Sequence, residues 1–218
     1  MYFGVAGHAL GVFRDPGPKA GGEKGSGFIC VENDDATAER MMLFCERAAL
    51  DVREVTPWNA YPWYINAKPT TTQLASGLSP LLHVAELMPE LKVIIFFGGS
   101  AQHAGRLLER QRPGVLSRRG IATLSTYHTS LQALWTNDPD ERDRREKHVL
   151  ETLQRAANLL NQYAWPTTLH GCSEIDIPSP RRACDGGQQP LHRPIGSGRR
   201  QWTWRTVAPA ANRSFEPC

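Results

Sequence analysis

The sequence predicts an α/β fold, a three-layer α/β/α domain with a central, mainly parallel four-stranded sheet over residues 1–163. Short apolar runs alternate with longer stretches of helical periodicity along this part of the chain. The run at residues 92–97 has five consecutive apolar residues after Lys92, as in a strand buried on both faces. From residue 164 onward Pro, Gly, Arg, Ser and Gln dominate without an apolar period, so residues 164–218 are expected to form a low-complexity, disordered basic tail.

Each predicted element follows from a local pattern. Apolar, β-branched runs that end at turn residues predict strands at residues 9–13, 52–56, 92–97 and 120–125. An apolar face at helical spacing, or a long polar stretch, predicts helices at residues 36–49, 80–88, 101–110 and 139–160. The first of these helices has an N-cap signal, Asn-Asp-Asp, at residues 33–35.

Composition and charge exclude several classes of protein. The chain has 218 residues and a net charge of +3, with 18 basic against 18 acidic residues in 1–163 and 7 against 4 in 164–218. A neutral body is not typical of a protein that coats nucleic acid by charge alone. Five cysteines without a CxxC pair argue against a disulfide framework, a zinc knuckle or an iron–sulfur cluster. With no signal peptide or apolar run of membrane-spanning length, we expect a cytoplasmic protein.

The loops that follow the predicted strands contain unusual residues. In an open parallel sheet, ligands bind beyond the carboxyl ends of the strands, so these loops are expected to line one pocket. Asp15 begins a rigid turn with Pro16 and Gly17 and is a candidate general base, unless it bonds its own backbone. Asn59 presents donors and an acceptor that match the edge of a base, or forms a turn. His128 is a donor to developing negative charge, or a residue at the edge of the core.

Glycine-flanked segments add further candidates. Phe28 follows Gly25 and Gly27 in a loop, where its ring would stack on a planar ligand or pack on its own core as a lid. Gly98 and Gly99 follow the buried strand and would let the backbone approach a ligand or DNA closely. The same segment is similar to the nucleophile elbow of serine hydrolases, but Gln102 stands where that motif requires glycine.

Together these motifs resemble the uracil-DNA glycosylase superfamily over about residues 9–160. Its first motif, a strand followed by Asp-Pro-Gly-Pro, matches residues 15–18, and its stacking aromatic residue matches Phe28. Asn59 matches the Asn that ends the next strand of the superfamily. The His-x-Ser motif matches residues 128–130, with Thr129 where much of the superfamily has Pro. The segment Trp-Asn-x-x-Pro-Trp-Tyr at residues 58–64 is similar to a bacterial branch of that superfamily.

This resemblance implies a base-flipping enzyme for uracil in DNA. Asp15 and His128 would be catalytic: the carboxylate would offset the cationic sugar and position water, and the imidazole would donate to the uracil anion. Asn59 would read the uracil edge, Tyr61 or Trp58 would crowd the C5 side, and Leu131 or Gln132 would fill the hole in the duplex. The implied substrate contacts are Pro16, Gly17, Phe28, Asn59 and Tyr61, and the implied DNA contacts are Gly98, Gly99, Thr129, Ser130 and Leu131.

The resemblance also implies no metal and no cofactor, and a monomer whose partner is DNA containing uracil or a related base rather than a membrane. One alternative is a protein of the same fold that binds damaged DNA without cutting it. A minor alternative is a serine hydrolase in which Ser100 is the nucleophile, with His128 and Asp138 completing a triad. The presence of Asp15, Asn59 and His128 together favours the enzyme.

Overall fold

Four parallel strands form the centre of the molecule. In this computed structural model the described residues are 7–21 and 36–163, all within one compact unit. The strands are β1 (Ala9–Phe13), β2 (Val55–Asn59), β3 (Val93–Phe97) and β4 (Ala122–Thr126), in the spatial order β2-β1-β3-β4. The helices are α1 (Pro18–Gly21), α2 (Ala36–Arg47), α3 (Thr71–Glu86), α4 (Gly98–Gln111), α5 (Leu131–Leu134) and α6 (Pro139–Tyr163). The predicted α/β class with a parallel four-stranded sheet is confirmed.

The pairing register aligns the ends of the strands. Strand β1 lies between β2 and β3, with Phe13 opposite Asn59 and Val12 opposite Phe96. Phe97 of β3 lies opposite Thr126 of β4. All three pairings are parallel, so the four carboxyl ends lie at one edge of the sheet.

Helices cover both faces of the sheet, and strand β3 shows why. All five of its side chains are buried, because Ile94 and Phe96 point to one apolar cluster and Val93, Ile95 and Phe97 to another. The first cluster is completed by α3 and α4, and the second by α2 and α6. These two clusters are the hydrophobic layers of the predicted α/β/α arrangement.

Four elements begin more than one residue from their predicted starts: α4 begins at Gly98 rather than 101, β4 begins at Ala122 rather than 120, and β2 and α3 differ for reasons that local contacts explain. The strand expected at 52–56 runs over Val55–Asn59, because Asp51 accepts a hydrogen bond from the Arg53 N–H at 2.9 Å and caps a 3-10 turn over Val52–Glu54. The helix expected at 80–88 begins at Thr71, because Thr70 and Gln73 form a capping box. That signal was present in the sequence, but Pro80, which lies inside α3, directed the prediction to a later start.

Several predictions fall outside the described residues. They concern the stacking residue Phe28, the N-cap signal at 33–35 and the tail over 164–218. Within the described ranges, none of the helices combines the length and apolar character that crossing a bilayer requires.

Close packing of α3 against the end of β2 depends on Gly77. A Cβ atom built on Gly77 would lie 1.9 Å from the carbonyl oxygen of Ala60, the residue after the strand. That distance is far inside van der Waals contact, and the obstructing atom belongs to the backbone. Gly77 therefore fixes the approach of α3 to the segment that follows Asn59.

We expect Gly77→Ala to lower the free energy of unfolding by at least about 2 kcal/mol, because overpacking displaces backbone. Gly99→Ala is the matched control, since a Cβ on this helical glycine meets no atom within 4 Å. Urea denaturation of both variants measures the difference. Equal stability of Gly77→Ala and the wild type would contradict the packing described for α3.

Candidate active site at the carboxyl edge of the sheet

The pairing of β1 with β2 continues beyond the strands and brings two candidate residues together. The Ala60 N–H donates to the Phe13 carbonyl at 2.7 Å, and the Tyr61 N–H donates to the Arg14 carbonyl at 3.0 Å. These bonds hold the turn that contains Asp15 beside the segment that follows Asn59. The sequence predicted this neighbourhood from strand ends alone, and the two hydrogen bonds give it a fixed geometry.

Asp15 carries a buried carboxylate at this edge. Its side chain is 1% exposed, and Oδ1 accepts a hydrogen bond from the Arg14 guanidinium. Oδ2 is buried and has no hydrogen-bond partner among the described residues. A buried polar atom without a partner costs about 1–3 kcal/mol, so such atoms are informative about function. Pro16 behind it is buried, whereas Gly17 is exposed.

Asn59 presents an unpaired amide at the same edge. The residue is 2% exposed, and its Nδ2 is buried without a hydrogen-bond partner in the described part of the chain. Trp58 Nε1, one residue earlier, is also buried without a partner there. Tyr61 is half-buried, and its ring contacts that of Trp63 at a centroid distance of 5.0 Å. Asn59 thus offers a rigid, water-excluded donor at the position that the sequence predicts for base recognition.

Aromatic packing connects the middle of the sheet to His128. The Phe13 ring stacks on Phe97 with centroids 4.6 Å apart and meets the His128 imidazole edge-on at 5.5 Å. Gly98 has φ of +82°, and a Cβ there would lie 3.1 Å from the His128 Cβ. This glycine allows β3 to end directly against the histidine. Gly99 is exposed, and a Cβ there would meet open space.

The loop after β4 fixes the tautomer of His128. Its Nδ1 accepts a hydrogen bond from the Ser130 N–H at 3.0 Å. In the neutral imidazole the proton is therefore on Nε2, which makes that nitrogen a donor. Thr129, which lies between His128 and Ser130 in the chain, is fully buried, and its Oγ1 has no hydrogen-bond partner among residues 7–21 and 36–163.

Arg40, in helix α2, holds this loop. The sequence did not predict this role for Arg40. Its Nε donates to the Thr129 carbonyl at 3.0 Å, and its NH2 group pairs with Glu146 of α6 at 3.0 Å. The partners are 89 and 106 residues away along the chain, so no local pattern marks them. The carbonyl of Thr129 is thus held by an arginine from a helix that is distant in sequence.

The remaining candidates have mixed placements. Leu131 begins α5 and is 58% exposed. Ser100 lies in the first turn of α4, and its hydroxyl makes no hydrogen bond within the described residues. Asp138 accepts from the Asp140 N–H at 3.0 Å at the start of α6 and pairs with Arg144. The proposed hydrolase triad therefore gains no geometric support.

A surface groove along α2 lies away from these residues. It is lined by Glu39, Met42, Leu43, Cys45, Glu46, Leu50 and Val52. Burial, with a smaller contribution from the charge of Asp51, raises the pKa of the Cys45 thiol to about 12. The thiolate is therefore scarce near neutral pH, and the groove offers no activated nucleophile.

No family model matches the sequence, and no curated protein matches it. Within the described ranges, no group of three or more His, Cys, Asp or Glu side chains has the geometry to hold a metal ion. The candidate functional groups are therefore Asp15, Asn59 and His128, together with the loops that position them.

We expect Arg40→Ala to loosen the loop that contains His128, because the Thr129 carbonyl loses a charge-assisted hydrogen bond. The direct measurement is hydrogen exchange of the Ser130 amide, which should become faster. Arg155→Ala is the control, because Arg155 is an exposed arginine of α6 outside every ion pair described here. Unchanged protection of Ser130 in Arg40→Ala would show that Arg40 does not hold the loop.

Proposed function

We propose that this protein is a DNA glycosylase that extrudes uracil, or a related deaminated base, from DNA and excises it by hydrolysis during base excision repair. The observation that supports the proposal is the buried Asn59 Nδ2, which has no hydrogen-bond partner among the described residues, at the same sheet edge as the buried Asp15 carboxylate and a tautomerically fixed His128. The partner is DNA, no cofactor is required, and such a protein would work as a monomer in the cytoplasm with the nucleoid.

Base selection follows from the hydrogen-bonding pattern of Asn59. Its buried Nδ2 would donate to uracil O4, and its Oδ1 would accept from uracil N3–H. Cytosine presents an amine at C4 and an acceptor at N3, so both contacts would become repulsive. Because Nδ2 has no partner among the described residues, the correct base removes a desolvation cost that the wrong base leaves in place.

Catalysis follows from the two charges that develop as the glycosidic bond breaks. The electron pair of the C1′–N1 bond leaves with uracil, and the Nε2–H of His128 would stabilise the anion at O2. The sugar becomes cationic, and the Asp15 carboxylate would stabilise it. Water then adds to C1′, and its proton passes to the carboxylate, whose unpaired Oδ2 is suited to accept it.

The surrounding loops would hold the DNA. Backbone amides near Gly98, Gly99 and Thr129, together with the Ser130 hydroxyl, are suited to phosphate oxygens. The exposed Leu131 would enter the space left by the extruded nucleotide. In this proposal Phe28, outside the described residues, stacks on the extruded base.

A second candidate function has one specific observation in its favour. Arg14 engages Oδ1 of Asp15, so one of the two carboxylate oxygens already has a cationic partner and is not open to a sugar or a water. A protein with this pair would bind deaminated DNA in the same pocket and release it uncut. Excision and retention are therefore measured in the same assay.

The test is incubation of the full-length protein with single- and double-stranded oligonucleotides carrying one uracil, followed by alkali. We expect strand scission, and we expect Asp15→Asn to slow it by about 10²- to 10⁴-fold while DNA binding is kept, because a general base is lost. Asp138→Asn is the matched control, since this exposed carboxylate accepts a hydrogen bond at the start of α6 and pairs with Arg144.

Each outcome decides between the candidates. Tight retention of uracil-containing DNA without scission would favour the binding protein. An unchanged rate in Asp15→Asn would remove Asp15 from the mechanism. If the wild type showed neither scission nor retention, both functions would be excluded.

A further inference from the structure

Two large apolar side chains are exposed beside the candidate site, one at the start of helix α5 and one directly after its end. Leu131 is 58% exposed and Trp135 is 54% exposed. The Trp135 N–H donates to the Leu131 carbonyl at 2.8 Å, so the two residues are one helical turn apart and lie on a similar side of α5. Leu134 anchors the helix and is 1% exposed. An exposed apolar pair on an anchored helix is typical of an interaction surface.

An arginine covers one face of the Trp135 ring. The Arg142 guanidinium carbon lies 4.4 Å from the ring centroid, a close cation–π contact. The guanidinium holds the ring in place without closing it off, because Trp135 remains more than half exposed. A ring supported in this way is a preformed surface on which a second planar group can stack.

The charge of Arg142 is not neutralised by a carboxylate in the described residues. Nearby, Arg144 and Arg145 both pair with Glu141, at 2.9 Å and 3.0 Å. Arg142 has no such ion pair, its Nε is buried without a hydrogen-bond partner there, and its contact to the Thr136 carbonyl is long at 3.4 Å. An arginine without an ion-pair partner in the described residues, placed beside an aromatic ring, is suited to a ligand that combines planar groups with negative charge.

The chain from His128 to Trp135 sets how far the Trp135 backbone lies from the candidate pocket. The Ser130 N–H binds His128 Nδ1, and the Ser130 carbonyl accepts from the Leu134 N–H in α5. At about 1.5 Å per residue, Trp135 lies about 7 Å along the helix from Ser130. Successive nucleotides of one strand are about 3.4 Å apart when stacked, so a strand that ran from His128 along α5 would bring a base about two nucleotides away to Trp135.

We propose that Trp135, supported by Arg142, is a stacking platform for an unpaired DNA base about two nucleotides from the extruded one. The inference rests on the proposed function in taking DNA as the substrate, and it adds that single-stranded DNA, whose bases are free to stack on protein, is the preferred form. Base–aromatic stacking is tolerant of sequence, because every base has a π-face. Arg142 stabilises the stack through the ring and attracts a neighbouring phosphate.

The test is fluorescence anisotropy of a labelled, undamaged single-stranded oligonucleotide with the full-length protein, which requires no excision. We expect Trp135→Ala to weaken binding by about 5- to 100-fold, the range for loss of one base–aromatic stack. Trp135→Phe keeps a ring and should stay within about 3-fold of the wild type. Leu87→Ala is the matched control, because Leu87 is 52% exposed at the far end of α3, away from the carboxyl edge.

The dependence on salt separates the two residues. Stacking releases no counterions, so Trp135→Ala should keep the slope of log affinity against log salt. Arg142→Gln should weaken binding and reduce the slope by about 0.7, the value for one phosphate contact of a single strand. An ultraviolet cross-link between wild-type Trp135 and the oligonucleotide, located by mass spectrometry, gives support that does not depend on the folding of a variant.

The outcomes also separate this inference from the proposed function. Unchanged affinity in Trp135→Ala overturns the platform, even if the wild type excises uracil. Weaker binding in Trp135→Ala supports the platform, even if no uracil is released. Absence of oligonucleotide binding by the wild type, or a concentration-dependent dimer that buries Trp135, also overturns it.

Discussion

Parallel pairing of β1 with both of its neighbours is the constraint on which the rest of the structure depends. Because β1 lies in the middle of the order β2-β1-β3-β4, the loops that follow all four strands are brought to one edge. Hydrogen bonds from Ala60 and Tyr61 extend this pairing past the strand ends. Residues separated by more than a hundred positions, such as Asp15 and His128, thereby lie at one edge of the sheet.

Three buried polar groups at this edge are available to pair with a ligand in the proposed function. Asp15 Oδ2, Asn59 Nδ2 and Thr129 Oγ1 are all buried without hydrogen-bond partners in the described residues. Each costs about 1–3 kcal/mol in the free protein, and a ligand that pairs with them recovers that cost on binding. The rigid surroundings, among them Gly77, the stacked Phe13 and Phe97 rings and the Arg40 contact, keep these groups from turning away.

Local patterns predicted the strands and the residues at their ends. They could not predict contacts between residues that are far apart in the sequence. The continuous apolar run of β3 and the turns after β1 and β4 fixed the sheet class and placed Asp15 and His128 at the correct edge. The start of β2 moved because the Asp51 cap inserts a 3-10 turn, a competition that periodicity alone does not reveal. Arg40 was missed because its role depends on packing between helices distant in sequence.

Binding of the free base tests the central claim most directly. In a nuclear magnetic resonance titration with free uracil, the side-chain amide of Asn59 and the imidazole of His128 should both shift, since they would contact O4 and O2 of the base. Cytosine at the same concentration should leave both unchanged. Uracil that shifts neither group, or cytosine that shifts them equally, would contradict the assignment of this sheet edge as a uracil pocket.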